Sequence, residues 1–452
     1  MIKSETLSFD NKRPPLSHYL TFISVETISM LGSNIVDFVL IWWIVVTTKS
    51  ALYLSIASLI VFGTRIFLSP VAGVFIDRWN RKIVIILSDF GQAISMFYLI
   101  YKFTFGTASV NDILLIMFIG SLFASFQSPA FSAIVPVMVE EKNIERVNSL
   151  SYFARIFTSI IGAPIGALLY SIAPISTLLW IDIISFFFAV VVVSFIRIPS
   201  QKETNIKKSV QKSSQKGFIK EFKEGLSIIK SKGLVSFLIV FTIDNFFETP
   251  RNILLPLLIS DTYQGNAFTY ALIISSFQVS VSLTAILMGW KNIWRNVDPA
   301  KVFSFSIIGI FIGSILLVIP SPGSLGIYII IPIIGMILIG ICSPSVNVTM
   351  QSLEHKIVPP DKQGRVNATN NSISLTMIPP ATLITGFLID FLGNEFIRFI
   401  IFISCIFGII SMILIWYLTD LSSISSQIVH ISEDKETLMD YNSKDEALLS
   451  SA

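Results

Sequence analysis

The sequence predicts an all-α integral membrane protein, with twelve transmembrane helices in two parallel six-helix pseudo-repeats around a central cavity. Of its 452 residues, 53% are hydrophobic and only 13% are charged, which is about half the charged fraction of a typical soluble domain. Mean hydropathy is +0.75. A membrane-spanning helix needs about 20 apolar residues, and segments of that length recur along the chain. Besides this composition and these apolar segments, an internal repeat supports the predicted fold.

The apolar segments fall into two groups of six. They cover approximately residues 18–47, 52–75, 82–103, 112–136, 150–172 and 175–196, then 233–257, 267–289, 301–320, 326–350, 367–390 and 396–418. The sequence therefore predicts an N-terminal half at 18–196 and a C-terminal half at 233–418. The arm at 1–17 has no apolar core, so it is not a cleavable signal peptide.

The distribution of basic residues predicts the orientation. With a cytoplasmic N-terminus, the cytoplasmic segments hold 27 of the 32 Lys and Arg residues, as the positive-inside rule requires. Both termini of a multi-pass plasma-membrane protein are then expected in the cytoplasm. The linker 197–232 is basic, and its second part has the spacing of an amphipathic helix, either on the inner leaflet or as a solvated connector. The tail, 419–452, is acidic and expected to be disordered.

Three short matches relate the two halves at a nearly constant separation. At offsets of 215, 219 and 216 residues, Ser128-Pro129 recurs as Ser343-Pro344, Arg146-Val147-Asn148 as Arg365-Val366-Asn367, and Gly73 as Gly289. Three ordered matches in a chain that divides six and six indicate a duplication. Duplicated halves of this kind form transporter scaffolds with a binding site near the midplane.

The loop after the second span carries the most specific motif. Its members are Gly73, Asp77, Arg78, Arg81 and Lys82. The glycine allows close helix packing, and the basic residues anchor the loop at the cytoplasmic side. This motif resembles the signature loop of the major facilitator superfamily.

Further segments extend the resemblance to about residues 16–418. Gly162, Pro164 and Gly166 in span five look like a shortened form of the superfamily's antiporter motif. The segments similar to the macrolide-efflux group of drug:proton antiporters are Ser128-Pro129-Ala130, Trp180-Ile-Asp182, Phe218-Ile-Lys-Glu-Phe-Lys-Glu-Gly225, Gln351 and 359–366.

The resemblance implies that the loop motif is a cytoplasmic gate. Asp77 would face the start of span eleven, and Arg78 or Arg81 would meet Glu140 or Glu141. The second copy of the motif is degraded, with Ile293 and Trp294 at the positions of Asp77 and Arg78. We therefore expect the gate to be asymmetric.

Ionisable residues within spans are costly and mark functional sites. Glu26 and Asp37 share one face of span one, and Asp244, Glu248 and Arg251 share one face of span seven. The four carboxylates are proton-coupling candidates, with Arg65 and Arg251 as charge partners in the cavity. Two alternatives stay open: Asp244 and Glu248 could be structural partners of Arg251, and Asp37 could contact water.

Other in-span polar and aromatic residues have less specific roles. Asp89 and Asp182 look like packing positions, and Arg155 is expected to reach towards the membrane surface. Phe38, Trp42, Phe246 and Phe247 could contact an amphipathic substrate or face lipid. The uncharged residues that could bind a substrate or join helices are Gln278, Asn347 and Gln351.

These features predict a secondary active transporter, specifically a proton-coupled exporter of amphipathic drugs such as macrolides that works by alternating access. We expect a monomer in the lipid bilayer, with no cofactor and with the proton gradient as energy source. The alternative is a lipid or siderophore transporter on the same scaffold. An intramembrane enzyme or receptor is disfavoured because no zinc pair and no nucleophile–base set appears. Three scattered histidines predict no metal site, and a net charge of +3 predicts no nucleic-acid partner.

Overall fold

The structure, a computed structural model, describes residues 14–76, 79–199, 218–231, 234–290, 298–321, 328–359 and 362–419. These residues form helices and no strand, so the prediction of an all-α membrane protein is confirmed. Within them, eleven helices are long and apolar enough to cross a membrane, or twelve if Phe222–Ser231 and Val235–Thr262 count as one bent span. Asp77, Arg78, Ile293, Trp294, most of the linker and the tail from 420 lie outside the described residues.

The described helices follow the twelve predicted segments closely. In the N-terminal half they are α1 (Leu16–Thr48), α2 (Ala51–Ile76), α3 (Arg81–Thr104), α4 (Val110–Met138), α5 (Ile144–Ile172) and α6 (Ile175–Phe195). Beyond it they are α7 (Phe218–Ser231), α8 (Val235–Leu257), α9 (Ala267–Trp290), α10 (Pro299–Leu316), α11 (Ile330–Ile357), α12 (Gln363–Leu375), α13 (Ile378–Leu392) and α14 (Ile397–Thr419). Short 3₁₀ turns lie at Glu141–Asn143 and Asn394–Phe396, and a π-helical turn at Leu258–Thr262 continues α8.

The chain divides into two compact units. The first contains Met1–Gln215 and Asn266–Ser275, and the second contains Lys216–Gly265 and Ser276–Ala452. The first part of α9 therefore belongs to the first unit, and α7 belongs to the second.

Several helix starts follow from local capping chemistry. Asn80 Oδ1 accepts a hydrogen bond from the Lys82 amide at 3.0 Å and so begins α3. Ser109 and Asp112 form a reciprocal capping box at the start of α4. Asp298 caps α10, which has a proline in its first turn. These caps fix the positions at which the connecting loops end.

The segment predicted as one span at 367–390 is broken into α12 and α13. Pro379 and Pro380 lie in the first turn of α13. Proline has no amide proton, and its ring clashes with the carbonyl group four residues earlier. The helical hydrogen bonds therefore stop before these prolines, and residues 376–377 separate α12 from α13.

Each unit has its own apolar core. In the first unit, Phe22, Ile85 and Ile134 are almost fully buried in one cluster with the ends of α4 and α6. In the second unit, Phe237 of α8 packs edge-to-face on Phe303 of α10, with ring centroids 5.2 Å apart. Large apolar side chains remain exposed on many helices, as expected for surfaces that contact lipid.

The amphipathic helix α7 packs against α12 in the second unit. Glu224 forms an ion pair with Arg365 at 2.8 Å, and Ile229 is only 2% exposed. A Cβ atom on Gly225 would lie 2.8 Å from the Arg365 carbonyl oxygen and would also meet Thr369. A protein contact therefore holds one face of this helix, and its position relative to the inner leaflet stays a prediction.

We expect Gly225→Ala to lower the melting temperature of the purified protein by a few degrees. The added methyl group forces α7 away from α12, and overpacking of this kind costs about 1–3 kcal/mol. Gly120→Ala is the matched control, because a Cβ atom at Gly120 meets nothing within 4 Å. Equal melting temperatures for the two variants would show that α7 is not closely packed.

Candidate functional site

A large cavity lies in the first unit, with walls formed by α1, α2, α4 and α5. Its volume is about 1150 Å³, which is large enough for a drug-sized ligand. Arg65 and Arg155 contribute two cations, and among the described lining residues Glu26 is the only carboxylate. The aromatic members of the lining are Tyr19, Phe22, Phe131 and Tyr152.

Glu26 occupies a buried position in the cavity wall. It lies about 15 Å along α1 from the start of that helix. Its side chain is 2% exposed, and Oε1 has no hydrogen-bond partner. A buried carboxylate without a donor is costly in its charged form. This group is therefore suited to hold a proton or to meet a cation.

A second carboxylate, that of Asp89, lies behind the same cavity wall and contacts the Gln127 side chain. Asp89 on α3 is 0% exposed, and its Oδ1 accepts a hydrogen bond from Gln127 Nε2 at 2.6 Å. The second oxygen, Oδ2, has no partner. Gln127 itself lines the cavity. The sequence suggested a packing role for Asp89, and its burial and its hydrogen bond to another helix are compatible with that role.

Asp37 shares the helix face of Glu26 but has different surroundings. Its side chain is solvent-exposed, and the charge of Arg65 acts on it. One turn earlier on α1, Ser33 Oγ donates to Asp182 Oδ1 at 2.9 Å. Asp182 is buried on α6. Asp37 is thus exposed at the helix surface, and its role as a proton-coupling group or as a contact with water stays a prediction.

Arg155 contributes to the cavity wall, although the sequence suggested that it reaches towards the membrane surface. Its side chain is exposed and lies over the ring of Tyr152, with the guanidinium carbon 5.4 Å from the ring centroid. Both residues line the cavity. This cation–π contact holds the guanidinium group at the wall.

Phe38 and Trp42 lie in an aromatic cluster of the first unit. Each ring stacks on Tyr270, with centroids 5.6 Å apart and an interplanar angle of 19°. Phe38 is 7% exposed and Trp42 is 3% exposed. This arrangement leaves little of either ring accessible to a substrate.

The charged residues of α8 lie in the second unit. Arg251 is 4% exposed, pairs with Glu248 and donates to Ser314 Oγ on α10 at 3.2 Å. Asp244 is 5% exposed, and its Oδ1 has no partner. The structural pairing considered from the sequence thus applies to Glu248, whereas Asp244 keeps an unpartnered oxygen.

The other predicted contacts of the second unit are spread over three helices. Phe246 and Phe247 pack edge-to-face at 5.3 Å. Gln278 is partly buried on α9, while Asn347 and Gln351 are exposed on α11. The last two residues lie four positions apart and so share one helix face. The structure does not join these residues into one described pocket.

The span-five motif allows α5 to approach α1 closely. A Cβ atom on Gly162 would lie 2.7 Å from Asn34 Cβ, and one on Gly166 would lie 3.0 Å from the Ile35 carbonyl oxygen. Pro164 lies between these glycines within the helix. The two glycines therefore place no side chain between α5 and α1, so the two helices can pack closely.

A sequence model described as Major Facilitator Superfamily matches residues 22–378. The chain belongs to this superfamily. Macrolide efflux protein A of Streptococcus pyogenes is 25% identical over 376 residues, which cover 83% of this chain and 90% of the relative. Macrolide efflux protein A of Enterococcus faecalis is 26% identical over 331 residues, which cover 73% of this chain and 98% of the relative.

Solved transporter structures share the fold of this superfamily member. A mutant of the nucleoside transporter NupG matches with a TM-score of 0.72 and 13% identity, covering 88% of this chain and 100% of that chain. A bacterial homologue of the iron transporter ferroportin in the inward-facing state matches with a TM-score of 0.68 and 14% identity, covering 92% of this chain and 100% of that chain. The family and these neighbours identify a multi-pass transporter and not an enzyme.

The superfamily's loop motif is partly described. Gly73 lies in α2, and Arg81 begins α3. Lys82 Nζ donates to the carbonyl oxygens of Ser194 at 2.7 Å and Ile196 at 2.8 Å. Glu140 has Lys142 as an ion-pair partner at 2.7 Å. The motif's last residue therefore caps the end of α6, where free carbonyl groups favour a cation.

Lys82→Met should loosen the last turn of α6. Loss of these hydrogen bonds lowers local stability by about 1 kcal/mol, so exchange of the amide hydrogens at 190–196 should rise about fivefold. Hydrogen-exchange mass spectrometry measures this rate, and Lys142→Met, which changes an exposed lysine, should leave it unchanged. An unaltered rate in Lys82→Met would contradict the capping role.

Proposed function

We propose that this superfamily member is a proton-coupled exporter of amphipathic, often cationic compounds such as macrolides. The observation that carries the proposal is Glu26, a buried carboxylate with an unpartnered oxygen in the wall of a drug-sized cavity. The two relatives named macrolide efflux protein A support the substrate class. The aromatic rings in the cavity wall suit the apolar body of such a compound.

Competition at Glu26 supplies the coupling in this proposal. In a site of low dielectric constant, the carboxylate is stabilised by either a proton or a substrate cation. Binding of one displaces the other, so the movements of proton and substrate are linked in opposite directions. The same binding shifts the balance between inward-open and outward-open conformations, because each ligand stabilises the state that fits it.

Asp244 is the proposed counterpart of Glu26 in the second unit. It follows Glu26 by 218 residues, within the offsets of 215 to 219 that relate the repeated motifs. Both residues are buried, and each has one oxygen without a partner. Glu248 is less suited to exchange protons because Arg251 already pairs with it.

The remaining features of the proposal come from the sequence. The proton gradient across the plasma membrane is the energy source, no cofactor takes part, and the working form is a monomer. Both termini lie in the cytoplasm, since this orientation places 27 of the 32 basic residues there. The N-terminal parts of α1 and α5, which line the cavity, are then closest to the cytoplasm. An exporter collects its substrate from that side.

Transport in proteoliposomes tests the proposal. We expect Glu26→Gln to abolish uphill accumulation of a labelled macrolide under an imposed proton gradient, while downhill exchange persists. Asp244→Asn should weaken coupling by the same reasoning. Glutamine keeps the shape of the side chain and removes its titration. If coupling is lost while exchange is retained, the cause is the missing proton-binding group and not a folding defect.

Glu145→Gln is the matched control, because Glu145 is exposed at the start of α5 and is absent from the cavity lining. It should transport like the unmodified protein. Replacing sodium by potassium on both sides distinguishes proton from sodium coupling. The proposal fails if Glu26→Gln and Asp244→Asn still concentrate substrate in a pH-dependent way, or if only labelled lipids or siderophores are moved.

A further inference from the structure

We propose that α7 joins the membrane surface to α12: its exposed face binds the headgroups of anionic phospholipids, and its packed face holds α12. The proposal goes beyond the transport cycle proposed above and does not depend on the coupling ion. It concerns only the second unit, to which both helices belong.

The exposed face of α7 carries basic side chains around an apolar one. The exposed residues on this side of the helix are Lys223, Leu226, Ser227 and Lys230. Their spacing of three, four and seven residues places them on one helix face, and Leu226 is 40% exposed. Among the described residues, no ion pair includes either lysine. Ammonium groups beside an apolar side chain suit a membrane surface with negative headgroups.

The opposite face of α7 is packed within the protein. Gly225 is buried, and Ile229 is 2% exposed. A Cβ atom on Gly225 would lie 2.8 Å from the Arg365 carbonyl oxygen, and Glu224 pairs with the Arg365 side chain at 2.8 Å. Lipid headgroups on one face and α12 on the other therefore do not compete for the same side chains.

The direction of α7 suits a helix that lies along a membrane surface. The segment Phe222–Ser231 makes an angle of 114° with the segment Val235–Thr262, which contains α8, the seventh predicted span. The two segments are therefore closer to perpendicular than to parallel. A helix that is nearly perpendicular to a span runs along the membrane surface, where a basic amphipathic helix binds through its lysines and apolar side chains.

The helix α12 depends on support from its neighbours because little of its surface is apolar. It has 13 residues, a length at which an isolated helix is marginally stable, and the proline break separates it from α13. Its buried residues are Val366, Thr369, Asn370 and Ser374. Only the valine among them is apolar, so polar contacts with neighbouring helices hold α12 in place.

These polar contacts come from three helices. Asn370 Nδ2 donates to Glu354 Oε1 on α11 at 2.6 Å. Asn245 Nδ2 on α8 donates to the Ser374 carbonyl oxygen at 3.2 Å. Both contacts lie in the second half of α12, whereas α7 contacts the first half through the ion pair with Arg365. A membrane surface that holds α7 in place therefore also stabilises the first half of α12.

Hydrogen-exchange mass spectrometry of the full chain in nanodiscs tests the proposal. One set of discs contains phosphatidylcholine alone, and the other contains phosphatidylcholine mixed with phosphatidylglycerol of the same acyl chains. We expect the anionic discs to slow amide exchange about threefold or more in α7 and in the first half of α12. High salt should reduce this difference, because it screens the attraction between lysines and headgroups.

Two variants separate the two faces of α7. Lys223→Gln/Lys230→Gln should lose the lipid effect in both helices, while exchange in phosphatidylcholine discs stays close to that of the unmodified protein. Gly225→Val should keep the lipid effect in α7 and lose it in α12, because the added side chain separates the two helices. Lys142→Gln/Lys301→Gln is the matched control, since it removes two exposed lysines outside α7, and it should respond to lipid like the unmodified protein.

Equal exchange of α7 in the two kinds of disc would overturn the proposal, as would a lipid effect that persists in Lys223→Gln/Lys230→Gln. The tail from 420, with seven acidic residues, is the other possible occupant of the exposed face. A chain that ends at Thr419 should keep the lipid effect. If its α7 exchanges faster while lipid composition has no influence, the tail occupies this face and the proposal is wrong.

The lysine variant decides the lipid contact if Gly225→Val does not fold, and the α12 exchange of the unmodified protein then decides the link between the two helices. An unchanged α12 beside a slowed α7 in anionic discs would overturn that link. The measurement uses no substrate and no proton gradient, so its result is independent of whether Glu26 couples transport to protons.

Discussion

Burial of carboxyl groups within apolar helices is the constraint on which the rest of the structure depends. Each such group must find a hydrogen-bond donor, a cation or a proton, because hydrocarbon offers none of them. Asp182 finds a donor in Ser33, and Glu248 finds a cation in Arg251. Glu26 keeps an oxygen without either. In the proposed function, this difference separates carboxyl groups that stabilise helix packing from those whose charge state changes during transport.

The two units satisfy this constraint in different ways, although the sequence repeat relates them. In the first unit, the polar partners of the wall lie on separate helices, with Asp89 on α3 and Gln127 on α4. In the second, Glu248 and Arg251 lie one turn apart on α8, and Ser314 on α10 completes the contact. Duplication thus preserved a buried carboxylate on the first helix of each half, while the neighbours that set its charge diverged.

The sequence predicts the helices well because hydropathy and length decide whether a segment can span a membrane. The break between α12 and α13 was not predicted, although the two consecutive prolines that cause it are visible in the sequence. By contrast, the packing of α7 on α12 depends on a contact between Gly225 and residues about 140 positions later in the chain. A local sequence pattern cannot predict a contact over such a separation. For the site, in-span charge identified Glu26, but the cavity that it lines together with residues of α4 and α5 follows only from the fold. Aromatic composition alone could not separate Phe38 and Trp42, stacked on Tyr270, from the rings of the cavity wall.

Close packing of α5 on α1 connects the cavity wall to the helix that carries Glu26. Gly162 and Gly166 let α5 press closely on α1, and the α5 side of this contact continues into the cavity wall through Tyr152 and Arg155. A substrate that displaces the wall therefore acts on the helix that carries Glu26. Under the proposed function, this packing would couple proton release to substrate binding, in addition to the direct competition at the carboxylate.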